Sequence, residues 1–367
     1  MKVCIIGSKG ILASKFAKYY AENKGFDVVI IDSPSSRILC DSSFDFARLY
    51  TAKSARVIYR IWYILKVLKK EKPDVVHCLY INKSSIAPLL MFRRPYKYIC
   101  SAFGSDIYWG LKKRTDRIFK RFTLKHCDKI VFNSYQLKKE IIRFLPDIDK
   151  NKLKPIPIGV DFEMFNQIDN DNQRILKSDY AITDKDIIIL SFRGLSPLYN
   201  QKVIIDSIPE LVLKNKNLKF IFVAGASYPK DVAETKKYIE TKGVNEYVIF
   251  VENFLSQVLL ASLIQMARLV VNIPTTDQFA LSILETMAAG TPLILSPLDA
   301  YKDYLNDEEN CFYIEEITSK ALIKKVNYVL NNYDRVTENL ISRNKNLVKE
   351  KYDFERNMDV LVSVFNE

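Results

Sequence analysis

The residues best suited to bind a ligand lie in one stretch of the second half of the chain, positions 272–290, with the sequence NIPTTDQFALSILETMAAG. This pattern predicts a buried strand that ends at Pro274, a polar turn, and a helix that begins near Leu281. Gly290 is predicted to end the helix, because glycine readily adopts the left-handed conformation found at helix C-termini. The first turn of such a helix carries unpaired backbone amides, which attract an anion.

Two acids flank these amides, and the groups together could hold a phosphorylated sugar compound. Asp277 lies in the turn, and Glu285 follows eight positions later on the helix. Each carboxylate could accept hydrogen bonds from the hydroxyls of one sugar, with a diphosphate on the amides of Phe279, Ala280 and Leu281. In isolation, the same pattern also describes a helix capped by an aspartate, with a glutamate on its surface.

A glycine-containing turn also follows the first predicted strand, where the sequence reads Gly7-Ser8-Lys9-Gly10. Glycines there would let the backbone approach a ligand at the start of a helix. The spacing is G-x-x-G rather than G-x-G-x-x-G, and no convincing ribose-binding acid follows, so a nicotinamide oxidoreductase is a weak alternative. Gly7 and Gly10 form either a plain tight turn or a substrate-facing loop.

Short β-branched runs alternate with amphipathic helical patterns along the whole chain, which predicts parallel sheets covered by helices. The segment 162–186 has few apolar residues, and we place a domain boundary at its start, giving domains 1–165 and 166–367. Two such α/β domains usually enclose a cleft at the carboxyl ends of their strands, where ligands bind. The predicted strands are 3–6, 28–31, 75–78, 98–102, 130–132, 153–157, 187–192, 220–224, 248–251, 269–273 and 293–295.

The composition describes a globular chain rather than a disordered, collagen-like or coiled-coil protein: 367 residues, 48% hydrophobic and 27% charged. No run approaches the ~18 apolar residues of a membrane span. The N-terminal sequence MKVCIIGSKG lacks the features of a signal peptide, and the six cysteines form no C-x-x-C pair. We therefore expect a cytoplasmic location, with reduced thiols and no metal site.

Positive charge is concentrated in the first part of the chain. Residues 1–160 contain 32 Lys and Arg against 13 Asp and Glu, whereas residues 161–367 contain 23 against 30. This asymmetry indicates that the first domain faces an anionic partner such as a phospholipid surface, a phosphate-bearing acceptor or a nucleic acid. Nucleic acid is disfavoured, because no recognition helix, zinc motif or RNA-binding aromatic motif is present.

Residues 53–70, KSARVIYRIWYILKVLKK, are predicted to form an amphipathic helix. Its apolar face would include Ile58 and Trp62 and would cover a sheet. Its basic face, with Arg60 and Lys66, would point outward and could meet lipid headgroups.

The chain resembles the retaining glycosyltransferases of family 4 along nearly its whole length. The family signature is an acid, seven residues, a second acid, a helix end of small residues, and Gly-Thr-Pro before an apolar strand. Asp277 and Glu285 have this spacing, and residues 288–294, AAGTPLI, match the continuation. Further landmarks follow the family's order: Pro73-Asp74-Val75-Val76-His77, Phe103-Gly104-Ser105-Asp106, 127–134 (CDKIVFNS) and 158–161 (IGVD).

The resemblance implies the GT-B fold, with two Rossmann-like doubly wound domains facing a central cleft, and a role for each matching residue. Glu285 would bind the nucleotide ribose, and Asp277 would lie near the donor sugar. Arg193, just past strand 187–192, would bind the diphosphate; without the surrounding matches it would be a surface charge at a strand end. The implied donor-binding residues are Arg193, Lys202, Asp277, Gln278, Phe279, Ala280, Leu281 and Glu285, of which Arg193 and Asp277 would be catalytic. The acceptor loops would contain Gly7, Gly10, Phe103, Gly104 and Asp106.

Three positions depart from the family pattern. The first signature acid is usually glutamate, and Asp277 is one methylene shorter. The family usually has a lysine a few residues after the arginine, whereas Lys202 lies farther along. Phe103 stands where many members have histidine, which removes one polar contact at the reacting sugar. The two histidines of the chain, His77 and His126, lie in patterns typical of core or strand-end positions and are not expected to act as general bases.

The resemblance implies front-face displacement, in which the departing diphosphate helps to deprotonate the incoming hydroxyl. The nucleotide-sugar would be the co-substrate, and no metal cofactor is expected. The basic first domain suggests a lipid-linked glycan acceptor at the inner face of a bacterial membrane, in surface polysaccharide or lipopolysaccharide synthesis. The alternative is a non-catalytic GT-B protein that binds sugar nucleotide or supports a partner enzyme.

Overall fold

The computed structural model describes residues 1–7, 10–32, 44–108, 114–225 and 227–367. The chain forms two units: Met1–Ile158 with Glu355–Glu367, and Gly159–Phe354. Each unit contains a sheet whose described strand pairs are all parallel, with helical segments between most of its successive strands. This is the α/β class that the alternating pattern predicts.

The strands of the first unit are β1 (Lys2–Gly7), β2 (Asp27–Asp32), β3 (Arg48–Thr51), β4 (Val75–Leu79), β5 (Lys97–Ala102), β6 (Lys129–Phe132) and β7 (Leu153–Pro155). They pair in the order β3-β2-β1-β4-β5-β6-β7. The strands of the second unit are β8 (Ile187–Ser191), β9 (Leu218–Val223), β10 (Val248–Val251), β11 (Leu269–Asn272), β12 (Leu293–Leu295) and β13 (Phe312–Tyr313). Their order is β10-β9-β8-β11-β12-β13.

The helices are α1 (Ile11–Lys18), α2 (Val57–Glu71), α3 (Ser105–Tyr108), α4 (Arg114–His126), α5 (Tyr135–Phe144), α6 (Phe162–Asn166), α7 (Asn170–Asp179), α8 (Gln201–Lys214), α9 (Pro229–Lys242), α10 (Gln257–Met266), α11 (Leu281–Ala289), α12 (Asp299–Lys302), α13 (Ser319–Asn331), α14 (Tyr333–Thr337), α15 (Leu340–Lys351) and α16 (Phe354–Val364). A π-helical turn, Tyr19–Asn23, extends α1, and short 3₁₀ segments lie at Lys83–Leu90, Lys150–Lys152, Pro197–Tyr199 and Asn245–Tyr247. No helix in the described ranges is long and apolar enough to cross a membrane.

Each sheet has one point where the strand order reverses, between β1 and β4 in the first unit and between β8 and β11 in the second. The loops that follow the two strands diverge at such a switch point and leave a crevice at the carboxyl ends of the strands. In the second unit, Arg193 follows β8 and Asp277 follows β11. The topology therefore brings these two predicted site residues to the same edge of the sheet.

The predicted domain boundary at 165/166 falls inside the second unit. Phe162 and Phe165 are buried in its hydrophobic core together with Leu176 and Ile188. The backbone at Val160 also forms a parallel bridge with Asp353. The polar segment that marked the boundary in the sequence is helix α7 and its flanking turns, which lie on the surface of the second unit.

Two strands that the sequence did not predict, β3 and β13, lie at sheet edges. β3 is largely exposed, and its sequence RLYT lacks a buried apolar run. β13 contains only two residues, both buried. Edge strands of this kind pair on one side only, so their sequences carry a weaker hydrophobic signal than central parallel strands.

Helix α2 corrects the prediction made for residues 53–70. Ile64, Val67 and Leu68 face the core of the first unit, as a sheet-covering helix requires. Ile58 and Trp62, which were predicted to share that apolar face, are instead exposed at 84% and 52% of their surface. Apolar residues occur on both sides of this helix, so its periodicity alone does not identify the side that faces the sheet.

Gly159 begins the second unit in the left-handed region, with φ of +77°, and lies against backbone. Val160 donates its amide to the Tyr352 carbonyl at 2.8 Å, and Phe354 donates its amide to the Val160 carbonyl at 2.9 Å. A Cβ added at Gly159 would lie 2.4 Å from the Tyr352 carbonyl oxygen. This close approach explains the glycine of the IGVD landmark, since neither backbone can withdraw without breaking the bridge.

We expect Gly159→Ala to lower the free energy of unfolding by about 3 kcal/mol, from left-handed strain plus the backbone clash. Gly243→Ala is the matched control, because Gly243 has φ of +64° but no atom lies within 4 Å of an added Cβ. Gly243→Ala therefore measures only the strain of a left-handed alanine, and it is expected to lower the free energy of unfolding by about 1 kcal/mol. Urea unfolding measures both values. Equal losses would show that the bridge at Val160 relaxes without cost.

Candidate functional site

Arg193 and Asp277 meet at the switch point of the second sheet. Arg193 Nη2 lies 3.0 Å from Asp277 Oδ2, and the two side chains are only 17% and 15% exposed. Arg193 Nη1 donates a hydrogen bond to Ser282 Oγ at 2.8 Å, and its guanidinium carbon lies 4.6 Å from the centre of the Tyr199 ring. The guanidinium is therefore fixed in one orientation by contacts from three separate segments.

The ionisation of this cluster is set by opposing effects. Burial lowers the pKa of Arg193, but the Asp277 carboxylate and the Tyr199 hydroxyl outweigh it and raise the pKa above its usual value. Burial also raises the pKa of Tyr301 well above its usual value, and the neighbouring Asp277 carboxylate adds to the rise. The Tyr301 hydroxyl thus stays protonated and donates to Asp277 Oδ2 at 2.8 Å. The cluster keeps a permanent positive charge beside one carboxylate.

The N-terminus of helix α11 confirms the predicted helix and adds backbone donors next to Arg193. The helix begins at Leu281, and its N-cap residue Ala280 supplies no side-chain acceptor for the first-turn amides. Ser282, which accepts from Arg193, lies in this first turn. Amides without a capping side chain, a fixed guanidinium and the positive end of a helix dipole form a suitable site for an anion.

The C-terminus of α11 explains the Gly-Thr-Pro landmark. Gly290 adopts φ of +79°, the left-handed conformation predicted for the helix end. Thr291 is buried and donates its hydroxyl to the Ile264 carbonyl at 2.7 Å. The Pro292 carbonyl then accepts the Val270 amide at the start of the pairing between β11 and β12. The landmark therefore fixes α11 to the sheet, and with it the position of its N-terminus.

Glu285 lies within α11, one turn after the first residues, and is 9% exposed. It follows Ser282 by three positions, so the two side chains share a side of the helix. The backbone amide of Gln278 donates a hydrogen bond to Asp277 Oδ1 at 2.9 Å, which orders the turn before the helix. Phe279 is buried, with its ring 4.6 Å from that of Tyr304. Of the segment from Asp277 to Glu285, Asp277 and Ser282 contact the Arg193 side chain directly.

Lys202 does not join this group. It is exposed on the first turn of α8, with its ammonium 5.2 Å from the centre of the Tyr238 ring. The loop after Arg193 is held by its neighbours instead: Gln201 donates to the Gly194 carbonyl at 2.8 Å, and Asn200 donates to the Ile273 carbonyl at 2.8 Å. The longer spacing from Arg193 places the lysine on the helix rather than in the loop.

The predicted acceptor residues lie at carboxyl ends of strands in the first unit. Gly7 ends β1 and Gly10 is the N-cap of α1, while Ser8 and Lys9 lie outside the described residues. Phe103 and Gly104, with φ of +99° at the glycine, follow β5. Asp106 is almost fully buried.

Both carboxylate oxygens of Asp106 are occupied by backbone donors. Oδ1 accepts the Phe103 amide at 3.0 Å, and Oδ2 accepts the Ile81 amide at 2.9 Å. Burial raises the pKa of Asp106 despite these bonds. Asp106 therefore ties together the loops after β4 and β5, which is a role in ordering the loop rather than in direct contact with an acceptor.

The two histidines differ. His77 is fully buried, with Nδ1 2.9 Å from the Tyr20 hydroxyl and Nε2 2.7 Å from Ser101 Oγ. Burial lowers its pKa to about 3, so it stays neutral, in agreement with the predicted core position. His126 is the last residue of α4 and is exposed, so its predicted core or strand-end position was wrong.

Three residues that contact the Arg193–Asp277 pair were not predicted from the sequence: Tyr199, Ser282 and Tyr301. The hydroxyl residues contact Arg193 or Asp277 from three segments, and no local spacing signals such contacts. Asn272 ends β11 and is buried, and neither its Nδ2 nor its Oδ1 has a hydrogen-bond partner. A buried amide without protein partners is unfavourable by roughly 1–3 kcal/mol.

The bond from Tyr301 to Asp277 gives a prediction about stability. Tyr301→Phe removes a donor from a mostly buried carboxylate and is expected to lower the free energy of unfolding by about 2 kcal/mol. Tyr238→Phe is the matched control, because its hydroxyl donates to Asp206 at 2.7 Å on the surface, and it should cost less than about 1 kcal/mol. Urea unfolding compares the variants; a larger loss for Tyr238→Phe would contradict the assignment.

Within the described ranges, no group of three or more His, Cys, Asp or Glu side chains could hold a metal ion. The five described cysteines, Cys4, Cys78, Cys100, Cys127 and Cys311, are free buried thiols, and Cys40 lies outside the described residues.

Comparison with known proteins gives matches along both units. Residues 172–347 match the family described as glycosyl transferases group 1, and residues 12–164 match the family described as glycosyltransferase family 4. An uncharacterized glycosyltransferase, MJ1607 of Methanocaldococcus jannaschii, is 23% identical over 82% of this chain and 77% of its own length. The two family matches together cover most of the chain, in the order of the two units.

Solved structures match the fold of the whole chain. The Anabaena protein HepE, solved in complex with UDP and glucose, has a TM-score of 0.81 at 14% identity and covers 100% of this chain and 99% of its own. WaaG, described as a glycosyltransferase involved in lipopolysaccharide biosynthesis, has a TM-score of 0.75 at 16% identity, covering 99% of both chains. At this level of identity the similarity establishes the fold.

Proposed function

Because this chain belongs to the group 1 glycosyltransferases with the GT-B fold, we propose that it transfers a sugar from a nucleotide-sugar to a glycan acceptor with retention of anomeric configuration. The observation that carries the proposal is the convergence of Arg193, Asp277 and the N-terminus of α11 at one switch point. A diphosphate is the anion that suits this site, since it can occupy the guanidinium and the helix amides at once.

The donor is assigned to the second unit. Its diphosphate binds the amides at Phe279, Ala280 and Leu281 and the guanidinium of Arg193. Glu285 accepts hydrogen bonds from the ribose hydroxyls, and Asp277 lies beside the transferred sugar.

The chemistry requires charge stabilisation more than proton transfer by the protein. The bond from the anomeric carbon to the β-phosphate oxygen breaks, and the acceptor oxygen bonds to the same face of that carbon. The acceptor proton passes to the departing phosphate oxygen, so atoms and charge balance without an enzyme nucleophile. Arg193 and the α11 amides stabilise the negative charge that develops on the diphosphate. We propose that these groups serve in place of a metal ion.

The acceptor is assigned to the first unit, with the loops of Gly7, Gly10, Phe103 and Gly104 at the carboxyl ends of its strands. The excess of positive charge in this unit supports an acceptor that carries phosphate, and we propose a lipid-linked glycan at the inner face of a bacterial membrane. The similarity to WaaG supports a place in lipopolysaccharide or surface polysaccharide synthesis.

A panel of nucleotide-sugars in a thermal-shift assay tests the donor assignment. A donor present at about 100 times its Kd adds roughly 2.7 kcal/mol of stability and raises Tm measurably. Slow hydrolysis of the same compound should follow, and NMR of a transfer product should show the anomeric configuration of the donor. Binding without turnover on any acceptor, or an inverted product, would contradict the proposal.

A further inference from the structure

The outer surface of the first unit carries large apolar side chains where a helix layer normally presents polar ones. Ile58 and Trp62 project from α2, Ile118 and Phe122 from α4, and Leu90 and Phe92 from the segment between them. Ile58 and Phe92 are 84% and 87% exposed. We call these six residues the outer apolar set. Scattered exposed apolar residues are ordinary, but six on neighbouring elements indicate an interaction surface.

The three elements lie side by side on one face of the sheet. The 3₁₀ segment Lys83–Leu90 contacts both α2 and α4. The inward residues of these elements, such as Leu68, Ala87 and Leu124, belong to a single core cluster. Ile58 and Trp62 are separated by four positions, as are Ile118 and Phe122, and each pair lies on the side of its helix away from that core. The four helix residues of the outer apolar set therefore lie on the outer side of this helix layer, and Leu90 and Phe92 are exposed on the segment between the helices.

Basic residues surround the outer apolar set. Lys66 has its ammonium 5.3 Å from the centre of the Trp62 ring, and the guanidinium of Arg93 lies 5.3 Å from the Phe92 ring. Arg117, Arg121 and Lys125 are exposed along α4 beside Ile118 and Phe122. The surface thus alternates apolar and cationic side chains.

Few acids oppose this charge. The segments 53–72, 83–97 and 114–125 contain only Glu71 and Asp116 as acids. Glu71 is buried, and Asp116 pairs with Lys83 at 3.0 Å. From neighbouring segments, Asp147 pairs with Arg121 and Lys125, and Asp128 pairs with Arg94. The remaining cations leave this face strongly positive.

We propose that this face binds the surface of an anionic phospholipid bilayer, with the outer apolar set entering the interfacial region and the lysines and arginines contacting lipid phosphates. This surface would bring the protein to the membrane that holds the proposed lipid-linked acceptor. The biological role of the surface rests on the proposed function, whereas membrane binding itself can be tested independently. Tryptophan and phenylalanine favour the headgroup level of a bilayer, and each basic residue near an anionic leaflet strengthens binding by roughly fivefold.

Other occupants fit the face less well. A second copy of the chain would press two positive surfaces together, which repel each other. A nucleic acid would use aromatic rings for stacking, but half of the outer apolar set is aliphatic, as at Ile58, Leu90 and Ile118. A bilayer accepts aliphatic and aromatic side chains alike and supplies the negative charge.

Vesicle flotation with a tryptophan reporter tests the proposal. The chain contains two tryptophans, so Trp109→Phe leaves Trp62 as the only one. Vesicles of phosphatidylglycerol and phosphatidylcholine in equal parts are expected to bind this variant at least about tenfold more tightly than pure phosphatidylcholine. Brominated lipids should quench Trp62 fluorescence, because its ring enters the interface. Equal binding to both vesicles, or unquenched Trp62, would overturn the proposal.

A matched pair of double variants isolates the apolar contribution. Ile58→Ser with Phe92→Ser removes two exposed side chains of the outer apolar set and should weaken vesicle binding by about tenfold or more. Ile168→Ser with Leu213→Ser removes two exposed apolar side chains of the second unit and should leave binding unchanged. Equal effects of the two pairs would overturn the assignment of the surface.

Two further measurements separate the alternatives. Light scattering of the protein alone tests for self-association. Oligomers that dissociate in the Ile58→Ser, Phe92→Ser variant, together with no vesicle binding, would identify a second copy of the chain as the partner and overturn the proposal. Donor-induced thermal shift and turnover on a water-soluble acceptor should be unchanged in both pairs. Vesicle binding without any donor binding or turnover would refute the proposed enzyme function while leaving the membrane surface intact.

Discussion

Replacement of Arg193 by alanine is expected to lower kcat for sugar transfer by roughly a thousandfold, because the guanidinium stabilises the charge that develops on the departing diphosphate. The ground-state donor is already charged, so its affinity should fall less than kcat does. Steady-state kinetics with a donor identified in the thermal-shift panel measures both quantities. A fall in donor affinity alone, with kcat unchanged, would contradict a role in the chemical step.

The controls must account for the bond that Arg193 makes with Asp277. Removing the arginine leaves a mostly buried carboxylate without its cation, which destabilises the fold as well as the reaction. Arg193→Ala combined with Asp277→Asn removes both charges and should recover stability without recovering kcat. Arg174→Ala, at a surface arginine that pairs with Asp171, should change neither.

Replacement of Glu285 by glutamine is expected to weaken donor binding by roughly a hundredfold, since a buried carboxylate accepts hydrogen bonds from two ribose hydroxyls better than an amide does. Glutamine has nearly the same shape, so α11 should keep its packing, and the Tm measured without donor checks this. Isothermal titration with the nucleoside diphosphate alone measures the effect on the ribose contact, independently of the sugar.

The matched control is Glu210→Gln, at an exposed position on α8, which should bind the nucleoside diphosphate like the unmodified protein. A deoxynucleoside diphosphate that lacks one ribose hydroxyl should lose affinity for the unmodified protein but little for Glu285→Gln. If removal of the ribose hydroxyl lowers the affinity equally in the unmodified protein and in Glu285→Gln, Glu285 does not contact the ribose.

Much of the site could be predicted because its signals are local. Gly290 and the following Thr-Pro mark the end of α11 in the sequence, and the apolar pattern marks its beginning near Leu281. Parallel strands bring their carboxyl ends to one edge, so Arg193 and the turn at Asp277 could be expected to converge once both strands were recognised. The structure gives both features directly.

Other features depend on packing between distant segments, which no spacing reports. The Tyr301 hydroxyl donates to Asp277 from a helix that follows β12. Both carboxylate oxygens of Asp106 accept hydrogen bonds from backbone amides, so this carboxylate does not face a ligand. Lys202 is displaced because a turn of 3₁₀ helix precedes α8. The predicted orientation of α2 was wrong for the same reason. Ile58 and Leu68 are similarly apolar, and only the neighbouring elements determine which of the two is buried.

The bridge between Val160 and Asp353 has a topological consequence. The second unit is an insertion in the chain of the first, and the bridge ties its two ends side by side. In a fragment running from Gly159 to Phe354, backbone hydrogen bonds would therefore hold the two termini together. Cutting the chain at these two points should change the conformational entropy of folding of this unit only slightly. Such a fragment would carry the whole anion site, which makes the second unit a natural piece for excision and for exchange between chains of the same architecture.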